Sequence, residues 1–230
     1  MIEGCRITGR YYSRRNRVFQ AEMPQGEAGV QCLVIKEFTT AAAAQREYSN
    51  LLQLAAAGVT VPTPLGLEGR RLYLQHLEGV LLADILEKDL VSSELWTKAL
   101  AGWYARLHAQ TAPGDSNALL KTDNNLRNFI FREGLFYGLD FELLSPGDPA
   151  RDLGQICAFI LADRPSFTPG KLAAASGLIR HYRCLNNLPV SRIREEIIRE
   201  LERMAERRRE ESSSIKSFLG SCQGKINLFS

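Results

Sequence analysis

No stretch of this 230-residue chain approaches the ~20 consecutive apolar residues that a membrane-spanning helix needs. Its five cysteines, Cys5, Cys32, Cys157, Cys184 and Cys222, are odd in number, scattered, and never arranged as C-x-x-C. Neither a zinc site nor a disulfide framework is indicated, and Cys32 and Cys157, set in apolar runs, read as small buried hydrophobes. Charge of one sign is also lacking. A net charge of +3 creates no demand for an anionic polymer, and no aromatic-basic platform is visible, so nucleic acid is not an expected partner. Internal repeats and low-complexity linkers are missing as well. The opening MIEGCRITGRYYSRR has no apolar run of the signal-peptide kind, and the expectation is a reduced, cytoplasmic, soluble protein.

What is present is an ordinary globular composition, 45% hydrophobic and 24% charged, enough for a core. Residues 6–38 read as strands, with RVFQAEM and CLVIKEF as hairpin partners around the turn PQGEAG. The period then changes. TTAAAAQREYSNLLQLAAAGV (39–59) is helical and ends on Gly58, VPTP breaks it, and LGLEG with RLYLQHL forms a further hairpin. From Gly79 the chain becomes mainly helical: LLADILEKDL, a long helix over 92–110 with Ser93 as N-cap, the apolar ARDLGQICAFILA, and an amphipathic helix over 191–211. The last of these carries Ile193, Ile197, Leu201 and Met204 on one stripe, and the tail from Ser212 reads as loosely attached. No motif is found over 163–190.

The segment KTDNNLRNFIFREGLFYGLDFE (121–142) places Asp123, Asn128 and Asp140 around short strand-like runs. A charge between Leu139 and Phe141, at an apolar strand end, is costly without a partner. In chain order there is a lysine on a strand (Lys36), a glutamate on the next helix (Glu47), then aspartate, asparagine and aspartate. Phosphoryl transfer from a nucleotide uses this inventory: a cation for the phosphates, an anion to hold it, a carboxylate for the attacking hydroxyl and oxygen ligands for Mg²⁺. Asp123 to Asn128 has the spacing D-x-x-x-x-N of a kinase catalytic loop. Asp140-Phe141-Glu142 falls where D-F-G would stand, and Val34-Ile35-Lys36 matches the end of V-A-I-K.

The chain resembles the protein-kinase-like superfamily, and within it the aminoglycoside phosphotransferase type, which tends to carry DFE or DWE. The likeness rests on REYSNLLQLAAAGVTVPTP (46–64), LYLQHLEGVLL (72–82), YARLHAQ (104–110) and GDPARDLGQI (147–156), and covers about residues 12–162. It implies an α+β, bilobal fold: an antiparallel-sheet N-lobe over 1–77 and a mainly helical C-lobe over 78–230. It also implies ATP and Mg²⁺ as cofactors. Asp123 would orient the acceptor hydroxyl, Asn128 and Asp140 would hold Mg²⁺, and Lys36 with Glu47 would contact phosphates. The backbone at Gln75 to Leu77 would meet the adenine, and Asp152 would brace the catalytic loop from the helix below.

Two departures from the family pattern stand out. Lys121 occupies the place of the histidine in HGD or HRD, and no G-x-G-x-x-G precedes Lys36. In GRYYSRRNRVF (9–19), Ser13, Arg14, Arg15 and Arg17 offer side-chain donors to phosphate instead of glycine backbone. Singly, most of these residues have plainer uses: Lys36 as a strand-edge lysine, Asp123 and Asn128 as turn and cap residues, Trp96, Trp103 and His108 as packing. Together they point to a kinase acting on the hydroxyl of a small molecule or sugar. The acceptor is not readable from a motif. A small atypical protein kinase, and a pseudokinase that binds nucleotide or a partner without chemistry, stay open.

Overall fold

A computed structural model describes residues 4–25, 29–110, 117–208 and 210–222. These fall into two compact units, one drawn from Met1–Gly79 and Tyr137–Leu143, the other from Val80–Phe136 and Leu144–Ser230.

The first unit is an antiparallel sheet with one helix. Strands β1 (Arg6–Tyr11), β2 (Arg17–Gln25) and β3 (Gly29–Glu37) run in sequence. Helix α1 (Ala41–Ala56) follows, then β4 (Pro64–Glu68) and β5 (Arg71–Gln75), in the sheet order β1-β2-β3-β5-β4. The turn residues 26–28 lie outside the described residues. Pairing Phe19 with Ile35 and Ala21 with Leu33 puts one set of side chains on one face. There Ala21, Leu33, Ile35 and Tyr73 form a core with Phe19 and Met23 against it. The alternate set, including Val34 and Lys36, takes the opposite face, as the two-residue period of a strand requires. Cys32 is only partly buried, a correction to its reading as a core residue: it pairs with Glu22 in the half of the hairpin nearer the turn.

Helix α1 starts where Thr40 Oγ1 accepts the Ala43 N–H at 3.2 Å. It ends at Gly58, whose φ of 75° lets Val59 N–H reach back to the Leu54 carbonyl at 3.0 Å. Its buried stripe is Ala44, Glu47, Leu51 and Leu54, a helical spacing that sets one carboxylate among apolar neighbours.

The second unit begins with β6 (Val80–Leu81), α2 (Leu82–Lys88), α3 (Ser93–His108) and β7 (Ala118–Leu120). A 3₁₀ turn at Leu126–Asn128 leads to β8 (Phe129–Arg132) and β9 (Leu135–Gly138), and within β9 the chain passes into the first unit. It returns through β10 (Ser145–Gly147) to α4 (Pro149–Ala162), α5 (Pro169–Leu185), α6 (Val190–Arg207) and α7 (Ser212–Cys222). Helix α3 packs on α5, and α4 packs on both α5 and α6. Trp96 and Trp103 are buried in this layer.

Three sequence expectations need correction here. Ser92, not Ser93, is the residue before α3, and its side chain makes no capping bond. Helix α5 occupies a segment that had no motif; its start is set by Thr168 Oγ1 accepting the Lys171 N–H at 3.3 Å and by Pro169 in the first turn. The tail from Ser212 is helical as far as Cys222, with Phe218 stacked on Phe167 at 4.1 Å between ring centres. No helix among the described residues is long and apolar enough to cross a membrane.

Candidate active site

The first unit gathers four charged side chains around one point. Lys36 Nζ on β3 lies 2.6 Å from Glu47 Oε2 on α1 and 2.9 Å from Asp140 Oδ1. Glu142 Oε1 is 3.6 Å away. Lys36 and Glu47 are buried, whereas Asp140 and Glu142 are partly exposed. Burial acts most strongly on Lys36 and opposes its charge, but the attraction of Glu47 and Asp140 and their hydrogen bonds together outweigh it, so its pKa is raised. Glu47 is raised too, first by burial, with Asp140 and Glu142 adding to it against the pull of Lys36. The Lys36 direction governs: an ammonium with three carboxylate neighbours stays charged.

Three carboxylates against one ammonium leave two negative charges, which a divalent cation would neutralise. Carboxylate oxygens of Glu47, Asp140 and Glu142 lie within 4.8 Å of one another, and hard oxygen donors suit Mg²⁺. Since Lys36 engages Glu47 in the interior, Asp140 and Glu142 are the members that would hold such an ion. Glu142 received no role from the sequence, although DFE displays it.

The chain around Asp140 is tied down on both sides. Asp140 has φ 62°, a left-handed conformation that costs an L-residue free energy, less for aspartate than for most. Before it, Gly138 N–H donates to the Thr60 carbonyl at 3.1 Å. After it, Asn50 Nδ2 on α1 donates to the Phe141 carbonyl at 2.7 Å, and the Phe141 side chain is fully buried. Asn16, between β1 and β2, donates to Glu142 Oε1.

Among the remaining sequence candidates in this unit, Ser13 Oγ accepts the Asn16 N–H at 3.3 Å, and Arg14 and Arg15 are exposed. Arg17 is drawn aside to Glu37 at 3.0 Å. At the end of β5, the Gln75 N–H donates to the Thr63 carbonyl at 2.9 Å, and Gln75 Oε1 accepts from Thr63 Oγ1 at 3.0 Å. Leu77 is buried just beyond, and Tyr11 bridges from β1 to His76 at 3.1 Å.

In the second unit, Asp152 on α4 organises residues 121–128. Its carboxylate accepts the Lys121 N–H at 2.7 Å and the Thr122 N–H at 3.1 Å. It also accepts Asn124 Nδ2 at 2.8 Å and pairs with His108 Nε2 at 3.2 Å. With that nitrogen donating, His108 Nδ1 accepts from the Tyr182 hydroxyl at 2.9 Å. Burial is the largest influence on Asp152 and would raise its pKa, but the bonds from His108, Asn124 and Lys121 win and hold it below the ordinary carboxylate value. Asn124 is fully engaged: Tyr104 donates to its Oδ1 at 2.7 Å, and its Nδ2 also reaches Gln155 at 2.8 Å.

The Asp123 N–H donates to the Lys121 carbonyl at 2.9 Å across Thr122, whose φ is 67°. This is a γ-turn of the rarer, strained hand, with a β-branched residue where the family pattern HGD has glycine. Lys121 is fully buried, its ammonium 5.6 Å from the Phe129 ring centre. The outcome is an exposed Asp123 whose Oδ1 accepts the Asn125 N–H at 3.3 Å. Asn128 Nδ2 donates to the Asp123 carbonyl at 3.4 Å, bringing these two candidates together. Asn124 and Gln155 were missed by sequence reasoning because neither stands out from an ordinary turn or helix residue.

No protein-family model and no curated protein matches this sequence. Solved structures do match. An ADP-bound aminoglycoside phosphotransferase, APH(2'')-Ib, superposes with TM-score 0.63 at 12% identity over 86% of this chain and 83% of its own. The streptomycin–ATP–APH(2'')-IIa ternary complex gives 0.61 at 13%, over 85% and 83%. A candidate fructosamine-3-kinase of Haemophilus somnus 129PT gives 0.57 at 12%, over 88% and 84%. An antiparallel-sheet N-terminal region followed by a mostly helical C-terminal region, matched over most of both chains, makes this the protein-kinase-like fold of the aminoglycoside phosphotransferase type.

Proposed function

We propose that this protein is an ATP- and Mg²⁺-dependent phosphotransferase acting on the hydroxyl of a small molecule or sugar. The observation that carries the reading is the buried Lys36–Glu47 ion pair with Asp140 at 2.9 Å from the same ammonium. A structural lysine would not need a second, partly exposed carboxylate held in a left-handed conformation. Support for nucleotide comes from the solved relatives named with ADP and ATP, and for the acceptor class from those named for aminoglycosides and fructosamine.

In this reading Lys36 neutralises phosphate oxygens of ATP and Glu47 fixes its position. Ser13, Arg14 and Arg15 add donors to the phosphates, and the backbone from Gln75 to Leu77 receives the base. Asp140, with Glu142 beside it, and Asn128 would hold Mg²⁺, which would supply positive charge to offset that of the nucleotide phosphates. Asp123 accepts a hydrogen bond from the acceptor hydroxyl and directs its oxygen at the γ-phosphorus. The new O–P bond forms as the bond to the β–γ bridging oxygen breaks, ADP leaves, and Asp123 takes the hydroxyl proton. The N-lobe over 1–77, with the segment Tyr137–Leu143 that belongs to the same unit, then holds the nucleotide, and the rest of the C-lobe over 78–230 carries the Asp123 loop.

The test is thermal unfolding of wild type and Asp140→Asn, with and without ATP plus Mg²⁺. Ligand at ~100 times its Kd stabilises the native state by about 2.7 kcal/mol. A Mg²⁺-dependent rise in wild type that disappears in the variant is expected; no rise in either sinks the nucleotide reading. One observation favours a second reading, a pseudokinase: Lys121 stands where the family has histidine and Thr122 is strained. Slow ATP hydrolysis that is lost in Asp123→Asn would decide for the enzyme.

A further inference from the structure

We infer that Asn50 is a positioning residue for the metal: its hydrogen bond to the Phe141 carbonyl holds Asp140 in the conformation that presents its carboxylate. The inference rests on the phosphotransferase reading and names a residue that reading does not require.

The argument starts from the backbone. Asp140 has φ 62°, and a single residue in this region persists only when its surroundings over-determine it. Two fixed points bracket it. On the N-terminal side, Gly138 is anchored to Thr60. On the C-terminal side, Asn50 donates to Phe141 at 2.7 Å. The side chains of Phe141 and Asp140 are held as well, one by burial and one by Lys36. Of these contacts, the Asn50 bond fixes the Phe141–Glu142 peptide plane, one residue beyond Asp140, and so pins the chain between the two carboxylates and limits how far Asp140 can relax from its left-handed conformation.

Asn50 lies three residues after Glu47, so both stand on the same side of α1, about one turn apart. One helix therefore places the partner of Lys36 and clamps the segment that carries Asp140. A shift of α1 disturbs both at once. Asn50 acts on the proposed ligand as outer partners of metal ligands do, by orientation and without touching the ion.

Two variants remove the donor with opposite effects on volume, Asn50→Ala and Asn50→Leu. Three quantities are read: the Mg²⁺ concentration that half-saturates the ATP-induced thermal shift, ATP affinity in EDTA, and amide exchange of residues 138–142 in the ligand-free protein. In both variants the Mg²⁺ midpoint rises about tenfold or more, ATP affinity without Mg²⁺ stays within about twofold, and exchange over 138–142 accelerates. A purely volumetric role would separate alanine from leucine. If either variant folds and keeps the wild-type Mg²⁺ midpoint, the inference is overturned, even with faster exchange. If wild type itself shows no Mg²⁺-dependent shift, the phosphotransferase reading fails and takes this inference with it; a wild-type response with unchanged variants removes this inference alone.

Discussion

Lys36 and Glu47 meet at 2.6 Å with both side chains buried, one from a strand and one from a helix. Pairs of this kind are asymmetric in energy. Removing one partner strands a charge and costs about 3–5 kcal/mol, whereas replacing both with apolar groups is often neutral. Lys36→Met is therefore expected to destabilise strongly, by about 3 kcal/mol or more. The double variant Lys36→Met, Glu47→Leu should recover most of that loss while remaining unresponsive to ATP and Mg²⁺. Denaturant unfolding of the single and double variants checks the first part and ligand-induced thermal shift the second. Equal stability of the two variants would show that the pair does not couple in this way.

This pair also marks how far the sequence could be read. A lysine on a strand and a glutamate on the next helix have types and order that announce themselves, and so do Asp123, Asn128 and Asp140. The apolar stripes of α1, α4 and α6 were equally visible, since their periods survive in the burial of Leu51, Ile156 and Leu201. Other residues were hidden for a physical reason. Asn16, Asn50, Asn124 and Gln155 are uncharged and polar, and each looks like a turn, cap or surface residue until a partner distant in sequence is brought to it. Helix α5 was hidden differently: its alanines and scattered polar groups give a weak period, and only Thr168-Pro169 marks its start. Thr122 shows the opposite case, where local preference argues against the conformation and the bond from its N–H to Asp152 helps to impose it.

Asp152 makes a pH-dependent contribution. Its folded pKa lies below the unfolded value, so its stabilisation is complete above the ordinary carboxylate pKa and is lost as pH falls through the depressed one. Asp152→Asn removes charge-assisted bonds to Lys121, Thr122 and His108 and is expected to cost about 3 kcal/mol near neutral pH. The melting-temperature gap between wild type and variant should narrow from about pH 5 towards about pH 2, because only wild type has this stabilisation to lose. A gap that is constant over that range would mean the carboxylate's charge is not what holds the loop.

Asp123 sits at the other extreme. It is exposed, and its carboxylate makes one local bond, to the Asn125 N–H. Asp123→Asn should leave the melting temperature nearly unchanged, within about 0.5 kcal/mol of stability. Under the phosphotransferase reading it should slow turnover about 10²-fold or more, with little change in nucleotide affinity. Turnover and MgATP affinity measured on the same preparation separate these effects. Unchanged turnover would remove Asp123 from the reaction.

The crossing of α4 and α6 in the second unit provides a test through stability. Gly154 lies on α4 between Asp152 and Gln155, and a Cβ added there would meet the Glu196 side chain. It would also fall 2.7 Å from the Glu196 carbonyl carbon and 2.9 Å from the Ile197 nitrogen on α6. These are backbone atoms of a packed helix, so the helices must part to admit a methyl group. Glycine to alanine inside a helix normally gains about 0.5–1 kcal/mol. At Gly154 the overpacking cost, about 1–3 kcal/mol, should outweigh the gain and make Gly154→Ala destabilising. Gly102 on α3 is the control: nothing lies within 4 Å of its added Cβ, and Gly102→Ala should stabilise. Because displacement of α4 carries Asp152 with it, Gly154→Ala should also accelerate amide exchange at residues 121–124, which Gly102→Ala should not. Opposite signs of the two stability changes, with the exchange effect confined to Gly154→Ala, would tie the α4–α6 crossing to the geometry of the Asp123 loop; two stabilising substitutions would break that link.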